Sequence, residues 1–442
     1  MKDNMTKRNN KKIAVIGAGY TGLTIAYELT KKGYQVTVFE KENDIGGLAT
    51  GFQLDSIPLE KIWHFLYLSD AHALGLAEEL GIRDKLVFHN STVSTYYDGK
   101  VYPFMSPKDL LTFKPLSIIG RIRTGFVGVY LKLLKNWKPL TQITAYEWMN
   151  KWAGKEATEI IWKPLLQGKF GKYYNKVIMS WLWGRIKVRV DSKEGDGESL
   201  GYFTGGFSLL TDGLAKKIKE QGGVIKTNTT TDSLSKTKDS RVKITTNRGE
   251  EIFDKVAVTT PSSVFAKIIN QHQDVSKKYL EQLKSVDYVG AVVMVFSSTQ
   301  KISDYYWHNV NDDKIPFLVF LANSELAGTE TYQGKHIYYI GFYAEHNHEY
   351  FTKDKEEIMA EWLKGVKEMF PDFAENKITD KQLFKFKNAQ HIVDLGYEKK
   401  IPAYKTPLDN IYLSNFSQIY PEDRGLNFAI RDGKRIARII GR

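Results

Sequence analysis

The chain contains no cysteine. A disulfide framework, a thiolate metal site, a cysteine nucleophile and a thioether link to a prosthetic group are thereby excluded, and the composition fits a reducing compartment. No uncharged apolar run approaches the ~18–20 residues of a membrane span. Met1 to Lys12 is polar and basic, with no apolar core ending in a small-residue cleavage site behind it. No secretory signal is expected, and the expected location is cytoplasmic. The nine histidines show no metal-ligand spacing such as HExxH, no Ser/His/Asp order is legible, and no metal is expected. There is no internal repeat and no low-complexity linker, so domains are expected to interleave rather than follow in series.

What is present suits a two-domain globular protein: 442 residues, 42% hydrophobic and 26% charged. The formal charge is +12. Lys100 to Val190 carries 17 Lys/Arg against 4 Asp/Glu, so one stretch holds the whole excess. Such a stretch can attract phosphates, nucleic acid or an anionic membrane, or is a lysine-rich solvated face; of these partners, nucleic acid is not expected.

Lys12 to Gly17 is a continuous apolar run, the pattern of a strand buried on both faces. A helix is expected from about Tyr20 to Lys32, closed by Gly33, and a second buried strand from Gln35 to Glu40. Between them Gly17-Ala18-Gly19-Tyr20-Thr21-Gly22 has GxGxxG spacing. The first glycine makes a tight turn, the second admits a pyrophosphate to the backbone, and the third lets helix pack on strand. The amides of Tyr20, Thr21 and Gly22 then face the phosphates at a positive helix end. Glu40, with Lys41 beside it, ends the second strand and can accept from ribose hydroxyls. Together these pieces specify a Rossmann-type dinucleotide unit.

Two features favour FAD over NAD. Gly46-Gly47-Leu48 follows Glu40 closely, so bare backbone can run along an extended cofactor. At the other terminus a short strand, Ile411 to Ser414, precedes Tyr420 to Asn427 and an amphipathic helix through Ile440. The start of that helix, near Gly425 and Leu426, can aim N–H groups at the N1/C2 edge of a flavin. No second GxGxxG follows a later strand, so direct use of NAD(P)H is not expected.

Ser69 to Trp183 reads as mainly helical and holds six of the nine tryptophans. Tyr288 to Ser297, Pro316 to Ala322 and His336 to Ala344 read as strands of a second sheet, with a helix near Lys355 to Phe370. The expected fold class is α/β: a Rossmann-type FAD-binding domain (1–75, 201–265 and 405–442), a helical subdomain (76–200) and an interleaved α+β substrate domain whose sheet spans 266–404.

These pieces resemble the flavin amine oxidase superfamily, most closely its protoporphyrinogen-oxidase-like bacterial and archaeal branch. The resemblance rests on Gly17 to Gly22, Glu40, Gly46-Gly47, Gly205-Gly206-Phe207, Val256 to Pro261 and Tyr420 to Ala437. It implies a flavin at the domain interface, with Gly46, Gly47 and Leu48 on one side and Gly425 and Leu426 near its pyrimidine end. The family often has an acidic residue just after the last strand; Ser414-Asn415 stands there instead. Trp63-His64-Phe65 also looks like the His-containing segment of UDP-galactopyranose mutases.

The resemblance implies an FAD-dependent oxidoreductase taking a hydride from a C–H or C–N centre of a small or lipid-like substrate; the alternative is a non-redox mutase acting on a sugar nucleotide. His64, His391 and Arg424 are the candidate catalytic residues. Each also has a structural reading: for the histidine at 64 a satisfied place among aromatics, for Arg424 a pair with Asp423. Ile119, Ile122, Phe126, Tyr130 and Leu133 recur at helical spacing among basic residues. Within 117–135 that is the pattern of an interfacial membrane helix, or of a helix packed on the subdomain core.

Overall fold

A computed structural model of the chain describes residues 9–191, 193–194 and 197–442. The first eight residues of the basic start lie outside them. The organising element is a sheet of five strands, β1 (Asn9–Ile16), β2 (Tyr34–Phe39), β3 (Val224–Lys226), β4 (Lys255–Val258) and β5 (Ile411–Leu413), in the order β3-β2-β1-β4-β5. All four neighbouring pairs are parallel. A parallel sheet covered on both faces needs apolar residues on both sides of each strand, and Ile13, Ala14, Val15 and Ile16 are all buried. The fingerprint helix (Tyr20–Thr30) packs against the terminal helix (Leu426–Ile440). They approach closely because Gly433 has no side chain: a Cβ there would lie 2.9 Å from the Thr21 carbonyl oxygen. Parallel topology sets the C-terminal ends of β1 and β2 and the start of the fingerprint helix at one edge, where open α/β sheets bind ligands.

A second sheet of seven strands has the order 378–391, 288–298, 336–344, 319–322, 307–310, 93–97, 100–103. Its pairings are antiparallel apart from Trp307–Val310 beside Val93–Tyr97. Its core, formed with the helix Lys355–Met369, includes Val292, Met294, Phe296, Tyr338 and Trp362. A smaller sheet joins Leu66–Tyr67, Gly197–Phe203 and Leu86–Asn90.

The mainly helical reading of Ser69 to Trp183 needs correction at its start. Leu86–Asn90, Val93–Tyr97 and Lys100–Pro103 are strands, and the last two form a hairpin. Their turn is Asp98-Gly99, with φ of 48° and 72°. Asp-Gly is a strong signal for a turn with two left-handed residues, so tight-turn chemistry overrides the aromatic-rich context. Beyond it the segment is helical, with Ile118–Leu133, Ala145–Trp152, Lys163–Phe170 and Met179–Asp191.

Candidate active site

The edge of the parallel sheet is built around Glu40. Its carboxylate accepts from the Ala18 N–H at 2.8 Å and from the Glu42 N–H at 3.0 Å. The side chain thus pins the loop after β1 to the loop after β2. The Gly46 N–H donates to the Ala18 carbonyl at 2.8 Å, bringing the second glycine loop across the first. Gly19 and Gly46 pair as an isolated parallel bridge. Lys41 lies outside this group, exposed and 2.9 Å from Glu42. Tyr20 offers its backbone N–H to the helix tip, but its hydroxyl donates to the Phe207 carbonyl at 2.9 Å and ties the helix to the Gly205-Gly206 turn.

The three glycines of the fingerprint differ in what demands them. A Cβ on Gly22 would lie 2.0 Å from the Gly17 carbonyl oxygen, and Gly17 itself has φ of +102°. Those two are required by the protein's own backbone. Gly19 is not: its φ of −74° and ψ of 176° suit any residue, and the nearest atom to a Cβ there is Gly47 Cα at 3.9 Å. The bare backbone at Gly19 therefore fits close approach by a group from outside the chain. The fingerprint helix has no side-chain cap and no acidic residue in its first turn, which suits an anionic phosphate. The residues present fit the phosphates of a dinucleotide.

The terminal helix begins in the same way, with extended, exposed Gly425 at its N-cap and no side-chain cap. Leu426 is buried, and Asn427 Oδ1 accepts from the N–H groups of His72 and Ala73, locking the helix start to Ala71–Glu79. Asn415, just after β5, is spent internally. Its amide donates to the Thr260 carbonyl at 2.9 Å, and its Oδ1 accepts from the Ser417 N–H and hydroxyl.

The three catalytic candidates fall in one neighbourhood, and the partner expected for the Arg424 guanidinium needs correction. Asp423 does not pair with the Arg424 guanidinium. It binds Lys169, the Arg185 guanidinium at 2.9 Å and Trp181 Nε1 at 3.2 Å. Burial opposes ionisation of Asp423, but Lys169, Arg185 and Arg424 together outweigh it and hold the carboxyl well below the usual range. Burial is also the largest influence on Lys169 and pushes its ammonium down, opposed by Asp423. Arg424 instead donates to Gln390 Oε1 at 2.9 Å and to the Tyr343 hydroxyl at 3.1 Å, both neutral.

The His64 ring meets the Phe207 ring at 5.8 Å. Next to it, Trp63 lies so close to Gly341 that a Cβ there would be 2.4 Å from the indole, and it meets the Tyr343 ring edge-on at 6.5 Å. His64 Nδ1 is 2.7 Å from the Ile62 carbonyl, which can only accept, so Nδ1 carries the proton and Nε2 a lone pair. Burial and the Arg424 charge lower the His64 pKa to about 4, against the Ile62 bond, so the ring is neutral at pH 7. His391, next to Gln390, is fully buried with neither ring nitrogen hydrogen-bonded among the described residues. Burial pushes it down to about 3.

The sequence reading missed Lys169, Arg185, Tyr343 and Gln390, which complete this cluster, and Glu60. Glu60 is buried, accepts from the Phe207 N–H at 2.5 Å and the Tyr202 hydroxyl at 2.9 Å, and is raised by burial to about 7. The described residues contain no group of three or more potential metal ligands and no helix long and apolar enough to cross a membrane.

Comparison with known proteins agrees with this geometry. Residues 20–440 match the family of flavin containing amine oxidoreductases. Coproporphyrinogen III oxidase of Staphylococcus aureus is 28% identical over 327 residues, covering 65% of this chain and 67% of that protein. The mitochondrial protoporphyrinogen oxidase of Nicotiana tabacum is 25% identical over 296 residues, covering 57% of this chain and only 58% of its own length. Among solved structures, reduced UDP-galactopyranose mutase superposes with a TM-score of 0.76 at 14% identity, over 98% of this chain and 96% of that one, a likeness of fold. With its sheet edge, its two uncapped helix starts and a match spanning nearly its whole length, the chain belongs to the flavin containing amine oxidoreductases, and is an FAD-dependent oxidoreductase.

Proposed function

We propose that the enzyme takes hydrides from C–H or C–N centres of a small or lipid-like substrate, with porphyrinogens, the reduced tetrapyrroles, as the first class to test. The observation that carries this reading is the match to the staphylococcal coproporphyrinogen III oxidase over two thirds of its length. In this reading the cofactor lies on a unit made of 1–75, 201–265 and 405–442, with a helical unit (76–200) and a substrate sheet (266–404) around it. Gly17, Gly19 and the amides of Tyr20, Thr21 and Gly22 hold its phosphates, and Glu40 its ribose, with Lys41 at the rim. Gly46, Gly47 and Leu48 flank the ring on one side, and Gly425 and Leu426 meet its pyrimidine end. When bound, FAD supplies the hydride acceptor and hands the electron pair to oxygen or another acceptor.

The chain's residues then orient and shield. Loss of hydride from a carbon attached to a pyrrole ring, or to the nitrogen of an N–H amine, leaves a cation with C=N character whose N–H proton must depart. The unprotonated Nε2 of His64 is the acceptor we assign to it. The Arg424 guanidinium, whose hydrogen bonds go to neutral Gln390 and Tyr343, suits a substrate carboxylate or the negative charge of reduced flavin. Porphyrin fluorescence, followed after adding a porphyrinogen to the aerobic enzyme, tests the proposal: it should rise together with hydrogen peroxide or the reduction of an added acceptor. The mutase likeness and the Trp63-His64-Phe65 step support a second reading. Ring interconversion of a UDP-sugar by the reduced protein, with no oxidation of any C–H or C–N substrate, would replace the first reading with it.

A further inference from the structure

The helix Ile118–Leu133 buries only a narrow stripe, Gly120, Thr124, Val127 and Leu131. The residues whose spacing allowed either a core or an interfacial reading point the other way. Ile119 is 71% exposed, Phe126 72% and Leu133 69%, with Ile122 and Tyr130 about half exposed. Neighbouring Leu111 and Trp152 are also exposed, at 58% and 52%. Scattered exposed apolar residues are ordinary; one helix face that is apolar along four turns is not. Tyr130 stacks on Trp148, which meets Trp152, so an aromatic border runs along one side of the face.

The charge around the face is predominantly positive. The helix itself carries Arg121, Arg123 and Lys132 and no acidic residue, and Lys108, Lys114, Lys135, Lys138, Lys151 and Lys155 surround it, all exposed. Three of the four acids of this region are committed to helix starts, and Glu159 pairs with Lys163 at 2.7 Å. Asp109 and Glu147 close capping boxes, and Glu156 accepts from the Ser117 N–H at 2.8 Å and from its hydroxyl at 2.5 Å. Arg123 donates to the Trp152 and Lys151 carbonyls, which fixes the aromatic border beside the helix without neutralising the charge.

We propose that this face, extended by Leu111 and Trp152, seats the protein on an anionic lipid bilayer, with the helix lying in the interfacial plane. An apolar stripe buried among acyl chains, aromatic rings at headgroup depth and a basic surround are what an interfacial helix needs. The inference goes beyond the reading of the active site and stands independently of it.

Flotation of the flavin-loaded full chain with vesicles of equimolar phosphatidylcholine and phosphatidylglycerol, at low salt, tests it. The protein is expected to rise with these vesicles, and about tenfold less with pure phosphatidylcholine or in high salt. Phe126→Glu/Leu133→Glu changes only exposed positions. It should keep flavin content and melting temperature and lose flotation, and Lys132→Glu/Lys135→Glu should weaken it without touching the apolar face. The proposal is overturned if the wild type stays with the unbound fraction, or if the first variant floats equally well. It is also overturned if light scattering finds a lipid-free dimer that this variant dissociates, since a second copy would then cover the face.

Discussion

Substitution at Gly19 and at Gly22 should separate fold from cofactor. A methyl at Gly19 finds its nearest neighbour at 3.9 Å and a permitted backbone, so Gly19→Ala should change the stability of the flavin-free protein by no more than about 1 kcal/mol. Gly19→Val fills the same space more completely. If phosphates rest there, moving them off the helix tip weakens charge-assisted bonds from the Tyr20 and Thr21 amides, worth about 1.5–3 kcal/mol each. Losing both weakens FAD binding by roughly two to four orders of magnitude. Gly22→Ala behaves differently. Its Cβ would be 2.0 Å from the Gly17 carbonyl oxygen, so helix and strand must separate, a destabilisation of about 1–3 kcal/mol or more with or without flavin. The assay pairs thermal unfolding of each deflavinated protein with FAD titration by fluorescence quenching. Wild-type FAD affinity in Gly19→Val would refute the placement, and so would a large loss of stability in deflavinated Gly19→Ala.

Glu60, raised by burial from 4.5 to about 7, holds its proton more tightly folded than unfolded. Its contribution is present in full below about pH 4.5 and is lost as pH rises through about 7; the whole shift corresponds to about 3 kcal/mol, or about 3 °C in melting temperature for a chain of this length. Glu60→Gln, which can keep the Phe207 and Tyr202 contacts, should flatten the melting temperature between pH 5 and 8 by that amount; a parallel profile would contradict it. Asp423→Ala leaves the buried Arg185 charge and Lys169 without their carboxylate and should destabilise by about 3–5 kcal/mol in chemical denaturation, whereas an effect below about 1 kcal/mol would show the cluster to be solvent-screened.

The sequence made the glycine turn and its strand–helix frame legible because their parts are local. Strand, glycine turn, helix and Glu40 lie within about 30 residues, and each has its own period or turn chemistry. The cluster that holds the catalytic candidates was only half legible. His64, His391 and Arg424 stood out as residue types, but nothing in spacing joins Lys169, Arg185 and Asp423, which come from separate segments. For the same reason the partner of Arg424 was misassigned: two cations from the helical region claim its neighbouring carboxylate first. The strand Ile378–His391 escaped notice because it is an edge, and Lys381, Lys385 and Lys387 along it resemble a solvated segment while guarding against further pairing.

Mixing the oxidised holoenzyme with a porphyrinogen in the absence of oxygen, and following the visible flavin band through one turnover, tests the central claim most directly. The account predicts that the substrate alone bleaches the band and that colour returns when oxygen or another acceptor is admitted. A flavin that stays oxidised with every C–H and C–N donor, and supports catalysis only after chemical reduction while ending the cycle still reduced, would contradict it.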